Sequence, residues 1–148
     1  TGGGPAAEEI PRRAGDIPVF TSVFAPTRLL QADGTPAGAL AEFSGRRVVA
    51  CAGIARPEQF FWMLEEAGLE VADRIAFADH QTYGDEEVRR IAGACRATGA
   101  EMVVATEKDL VKMQELKLDI PIRALEIELR LHQPGLLPLL RSRITRKD

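Results

Sequence analysis

The sequence predicts a three-layer α/β/α sandwich on a mainly parallel sheet, with a short extended β arm at its N-terminal side. Three observations carry this reading. The continuous apolar runs at 48–52 and 102–105 look like strands covered on both faces. Apolar residues between them recur at helical spacing, and glycine or proline marks each change of period. Strands alternating with helices in this way form βαβ units with right-handed crossovers.

Residues 1–16 combine Gly, Pro, Ala and charge without periodicity and read as a mobile leader or an expression remnant. Thr1 in place of Met suggests the cut edge of a longer protein, and no basic n-region or apolar h-region marks a signal peptide. Residues 17–45 read as an extended β linker or arm. Its two short apolar strands, around 18–24 and 28–30, are separated by Pro26 and ended by Asp33-Gly34, and a Gly- and Ala-rich connection follows. The α/β domain is expected over 46–130. Val48–Ala52 forms its first strand, ending at Gly53. Pro57 suits the first turn of a helix on which Phe60, Leu64 and Ala67 recur, and Gly68 stops it. Val71–Phe77 is a second strand and 78–84 a polar loop. Val88, Ile91, Ala92 and Cys95 mark a second helix ended by Gly99. Met102–Ala105 is a third strand, Thr106 can cap a third helix carrying Leu110, Val111 and Met113, and Ile122–Ile127 is a fourth strand. Residues 131–148 read as a C-terminal helix and basic tail. The whole is Rossmann-like in layout.

Composition narrows the function. With 148 residues, 45% hydrophobic and 28% charged, the chain has the makeup of one globular domain that needs no disulfide or metal for stability. A net charge of −3 argues against a general nucleic-acid binder, and no apolar run approaches the ~20 residues of a membrane-spanning helix. Cys51 and Cys95, in apolar periodic segments, read as reduced, buried residues. Neither a G-x-x-x-x-G-K-[ST] phosphate loop nor a G-x-G-x-x-G fingerprint is present, which leaves a Rossmann-type nucleotide enzyme poorly supported.

Ligands of open parallel sheets bind outside the carboxyl ends of the strands. Three polar clusters fall there: Gly53-Ile54-Ala55-Arg56-Pro57, Asp79-His80-Gln81-Thr82-Tyr83 and Thr106-Glu107-Lys108-Asp109. Each has an ordinary structural explanation. Gly53 and Pro57 shape a strand-to-helix turn, Asp79 can bond its own loop, His80 can be a solvated loop residue, and Thr106 with the acids after it makes a good helix start. His132, before Gln133-Pro134, reads as a surface residue, and the basic tail as a solvated helix end.

Taken in order, these clusters resemble the C-terminal half of the tetraacyldisaccharide 4′-kinase (lipid A 4′-kinase) family of Gram-negative bacteria. The carrying segments are Gly53-Ile54-Ala55-Arg56-Pro57-Glu58-Gln59-Phe60-Phe61, Asp79-His80-Gln81-Thr82-Tyr83 and Thr106-Glu107-Lys108-Asp109-Leu110-Val111-Lys112, and the resemblance runs over about 17–128. It departs from the family pattern at Ala78, where proline often precedes the Asp-His pair, and at Gly84, where threonine commonly follows the tyrosine. The resemblance implies a two-domain enzyme of lipid A and lipopolysaccharide biosynthesis that works at the cytoplasmic side of the inner membrane. An N-terminal P-loop domain of the same protein would bind ATP and Mg2+, with no cofactor or metal held by the present sequence. The implied reaction moves the ATP γ-phosphate to the 4′-hydroxyl of a lipid A disaccharide precursor, tetraacyldisaccharide 1-phosphate, giving lipid IVA. His80 and Asp79 would be the catalytic pair, with His80 partnering a carboxylate of the P-loop domain. Tyr83, Arg56 and Lys108 would support the substrate cleft. A soluble fragment, inactive alone, is the expectation, and the alternative is a free-standing non-catalytic α/β binding or regulatory module.

Overall fold

The computed structural model describes residues 22–131. The expected leader, residues 17–21 of the expected arm, the C-terminal helix and basic tail beyond Leu131, and His132 lie outside these residues. Phe24–Leu129 forms one compact unit.

Among the described residues there are six strands and three α-helices, and from residue 47 onward they follow one another in the order expected. They are β1 (Ser22–Leu30), β2 (Pro36–Ala39), β3 (Arg47–Ala52), α1 (Pro57–Glu66), β4 (Glu70–Ala76), α2 (Asp85–Thr98), β5 (Met102–Thr106), α3 (Glu107–Met113) and β6 (Ile122–Leu131). A single 3-10 turn, Leu40–Phe43, joins β2 to β3. The sheet runs β2-β1-β6-β5-β3-β4. Its β6-β5-β3-β4 portion is parallel, and β1 pairs antiparallel with β2. The mainly parallel sheet expected from the sequence is therefore present.

Alternation along β3 builds the layers. Val48, Ala50 and Ala52 face Phe60, Phe61 and Leu64 of α1, while Val49 and Cys51 face Ile91 and Cys95 of α2 and Leu110 and Met113 of α3. Helices thus cover both faces, which is why β3 and β5 lack any polar alternation. Gly68 and Gly99 follow α1 and α2 with φ of 93° and 68°, left-handed geometry that glycine adopts at little steric cost.

Two details differ from the sequence reading. The arm is woven into the sheet: β1 is continuous through Pro26, Leu29 and Leu30 are buried, and the Gly- and Ala-rich connection contains β2. β1 is further tied to β6 through Glu126, which accepts from the Thr27 hydroxyl at 2.7 Å and pairs with Arg28 at 2.7 Å. On α3, Val111 is 68% exposed, and the inward position is taken instead by Asp109, four residues before Met113 and fully buried.

Candidate functional site

Chain connection turns in opposite directions at β3 and β5. From β3 the chain crosses to β4 at the sheet edge; from β5 it crosses to β6 on the other side. The carboxyl ends of β3 and β5 therefore flank a switch point, the usual ligand crevice of such sheets. Gly53 follows β3 there, and Thr106 closes β5.

In this protein the crevice is filled from within. The Asp109 carboxylate accepts the Gly53 N–H at 2.9 Å, the Thr106 hydroxyl at 2.6 Å and the Tyr83 hydroxyl at 3.1 Å. Three donors around one buried carboxylate satisfy a group that would otherwise be costly to take out of water. Thr106 also accepts the Asp109 N–H at 3.2 Å, so it caps α3 as its sequence suggested. Gly53 is required by packing, since a Cβ there would lie 2.9 Å from Asp109 Oδ1 and 3.2 Å from the Tyr83 hydroxyl oxygen. With the Gly53 N–H bonded to Asp109, that backbone does not cradle a phosphate.

The loop between β4 and α2 lies against this plug. Tyr83 stacks edge-on against Phe77, with ring centroids 5.1 Å apart, and Arg90 lies over the Phe77 ring at 5.3 Å. Burial, together with the Asp109 carboxylate, pushes the Tyr83 phenol well above its ordinary value. Gly84, the departure from the family pattern, occupies the N-cap of α2 and donates its N–H to Glu87 at 2.9 Å. Ala78, the other departure, accepts the Gln81 N–H through its carbonyl at 3.0 Å.

Two cations from α3 hold the loop's outer side. Lys108 Nζ lies 2.9 Å from Asp79 Oδ1, and Lys112 Nζ donates to the Gln81 carbonyl at 3.2 Å. The Lys108 hydrogen bond holds the Asp79 carboxyl below its usual range. Asp79 in turn accepts the His80 N–H at 3.0 Å.

His80 is the result of this bracing. Its φ is +62°, and no other described non-glycine residue has a positive φ. Its side chain is 82% exposed, with Nε2 3.7 Å from Asp79 Oδ2, too long for a hydrogen bond. A left-handed histidine costs of order 1 kcal/mol, and it persists where the surroundings fix it. The imidazole projects outward from the rim into solvent.

Of the residues singled out from sequence, the structure places His80, Asp79, Tyr83 and Lys108 at one rim in two separate networks: Lys108, Asp79 and the His80 N–H form one, and Tyr83 bonds Asp109 in the other. Arg56 is part of neither. It stands exposed at the N-cap of α1 with no side-chain bond to a described residue. Asp109, which joins all three clusters, was read only as an acid in the first turn of α3. Its position four residues before Met113, on the buried face, was the available signal. Among the described residues no group of three or more His, Cys, Asp and Glu side chains is placed to hold a metal ion.

The sequence profile of the tetraacyldisaccharide-1-P 4′-kinase family matches residues 2–145. Tetraacyldisaccharide 4′-kinase of Syntrophus aciditrophicus is 37% identical over 114 residues, covering 76% of this chain and 30% of the relative. The Geobacter metallireducens enzyme of the same name is 49% identical over 69 residues, 47% of this chain and 20% of the relative. A crystal structure of LpxK from Aquifex aeolicus, described as an apo form in complex with ATP, superposes with a TM-score of 0.60 at 27% identity. That match covers 86% of this chain and 36% of the other. The chain thus spans less than a third of the length of these two curated relatives.

Proposed function

Because the chain belongs to the tetraacyldisaccharide-1-P 4′-kinase family, we propose that it is the C-terminal domain of such a kinase and presents His80 to the reaction centre of a preceding P-loop domain. The observation that carries this reading is the exposed, left-handed His80 on a loop braced from α3. Backbone strain that surrounding contacts hold in place clusters at functional sites, which supports this reading.

The reaction proposed is transfer of the ATP γ-phosphoryl group to the 4′-hydroxyl of tetraacyldisaccharide 1-phosphate, giving lipid IVA. The sugar oxygen forms the new bond to phosphorus as the bond to ADP breaks, and the hydroxyl proton passes to a carboxylate of the P-loop domain. Phosphoryl transfer of this kind depends on positioning and charge stabilisation. His80 would orient that carboxylate and tune its basicity, as a second residue does in other acid–base pairs. Asp79 and Tyr83 hold the loop, Lys108 holds Asp79, and Arg56, which bonds none of these, would support the interdomain cleft only peripherally.

In the proposed enzyme ATP and Mg2+ are bound mainly by the P-loop domain, and this sequence alone is expected to be inactive. The lack of a phosphate loop and the bonding of the Gly53 N–H at the switch point to Asp109 support that division. The whole enzyme is proposed to work at the cytoplasmic face of the inner membrane, where its lipid substrate would be met.

His80→Ala in the full-length kinase tests the reading. A large fall in kcat with KM for ATP unchanged is expected. Wild-type turnover would remove His80 from the mechanism.

A further inference from the structure

Asp109 occupies the third position of α3, three residues after its Thr106 cap. In a capping box the acid at this position reaches back to the backbone N–H of the cap residue. Here only half of the box forms: the Thr106 hydroxyl accepts the Asp109 N–H, while the carboxylate turns inward. Its two oxygens take the Thr106 hydroxyl, the N–H of Gly53, 56 residues away, and the hydroxyl of Tyr83, 26 residues away. A helix cap does not require those distant bonds. The side chain is fully buried, and both distant partners flank the loop that carries His80.

We propose that Asp109 is a positioning residue of the kinase: through Tyr83 it fixes the 78–84 loop so that His80 stands where phosphoryl transfer needs it. The inference rests on the His80 reading above. Tyr83 lies three residues after His80 and is clamped between Asp109 and the Phe77 ring, which sets one end of the loop. Lys108 and Lys112, on either side of Asp109, hold Asp79 and the Gln81 carbonyl. One seven-residue helix thus bonds the loop at three places, and Asp109 is the bonding group that is fully buried. The Lys108 contact is exposed and cheaply exchanged for water, and that of Lys112 is part-buried. Asp109, shut away from water and held also by Gly53 and Thr106, is the fixed point of the three.

The test is a mutant cycle in the full-length kinase, following phosphate transfer from ATP to tetraacyldisaccharide 1-phosphate. Asp109→Asn keeps the side-chain shape but sets an amide against a ring of donors. It should lower kcat by roughly 10–100-fold, the scale of a small misplacement of a reacting group, with KM for ATP unchanged. Added to His80→Ala, Asp109→Asn should cause no further loss, because its effect passes through His80. Multiplicative losses would overturn the inference while leaving the role of His80 intact. Unaltered kcat in Asp109→Asn would overturn it too, and wild-type turnover in His80→Ala would overturn both readings together. Should Asp109→Asn fail to fold, Tyr83→Phe, which removes one hydroxyl from a ring that stays packed, carries the same cycle and the same outcomes.

Discussion

Gly53→Ala is the smallest change that probes the plug at the switch point. The new methyl would sit 2.9 Å from Asp109 Oδ1, 3.2 Å from the Tyr83 hydroxyl oxygen and 3.3 Å from the Ala78 carbonyl oxygen. None of these neighbours yields easily. Asp109 is buried and held by three donors, and Ala78 contributes backbone. Overpacking of this kind costs about 1–3 kcal/mol. Against it stands a gain of about 0.4–1 kcal/mol, because alanine restricts the unfolded chain more than glycine does. The mid-values leave a net destabilisation of about 1.3 kcal/mol. With a urea m-value of about 2 kcal/mol/M, the unfolding midpoint followed by circular dichroism should fall by about 0.6 M. The penalty should shrink when Asp109 is also replaced by alanine, since the shortest contact is then gone. A midpoint equal to or above that of the parent would refute the packing argument, and with it the claim that Asp109 and Tyr83 close the crevice.

Two further outcomes follow from the same geometry. Tyr83 is the only tyrosine in the chain, so tyrosinate absorbance reports it alone. Its pKa is raised in the folded state, so above about pH 10, the ordinary tyrosine value, the folded state binds more protons than the unfolded one and stability falls as pH rises. The absorbance step should therefore coincide with alkaline unfolding in the native protein and move to about pH 10 in urea; a step near pH 10 with the fold intact would contradict the buried contact with Asp109. His80→Gly should raise stability slightly, by up to about 0.6 kcal/mol, as relief of the left-handed strain outweighs the entropy of an added glycine, while abolishing the proposed activity. Reduced stability in that variant would show that the backbone at 80 is not strained.

Much of this architecture was legible because burial on both faces leaves an unmistakable apolar signature. Val48–Ala52 and Met102–Ala105 could be little else than covered parallel strands, and Gly68 and Gly99 stop their helices where expected. The arm was harder. Pro26 suggested a break, but the strand continues through it, and only tertiary burial of Leu29 and Leu30 joins that segment to the core. At the rim, the order and spacing of three polar clusters pointed to one edge, and the sheet topology does bring them there. What they do to one another was hidden. Asp109 looked like an acid favoured by the helix dipole, a local explanation sufficient by itself. Its real partners are Gly53 and Tyr83, brought near by crossovers that no local pattern encodes. Val111 misled for the converse reason: on a helix of seven residues, one apolar side chain more or less does not fix the buried face.

The central claim is that this chain supplies His80 to a site whose phosphate-binding half lies in another domain. Reconstitution tests it most directly: the chain is mixed with a separately expressed P-loop domain of the kinase, and phosphate transfer from ATP to tetraacyldisaccharide 1-phosphate is followed. The account predicts no transfer by either part alone, transfer by the mixture, and its loss when the chain carries His80→Ala. Transfer by this chain alone, or by a mixture indifferent to His80→Ala, would contradict it.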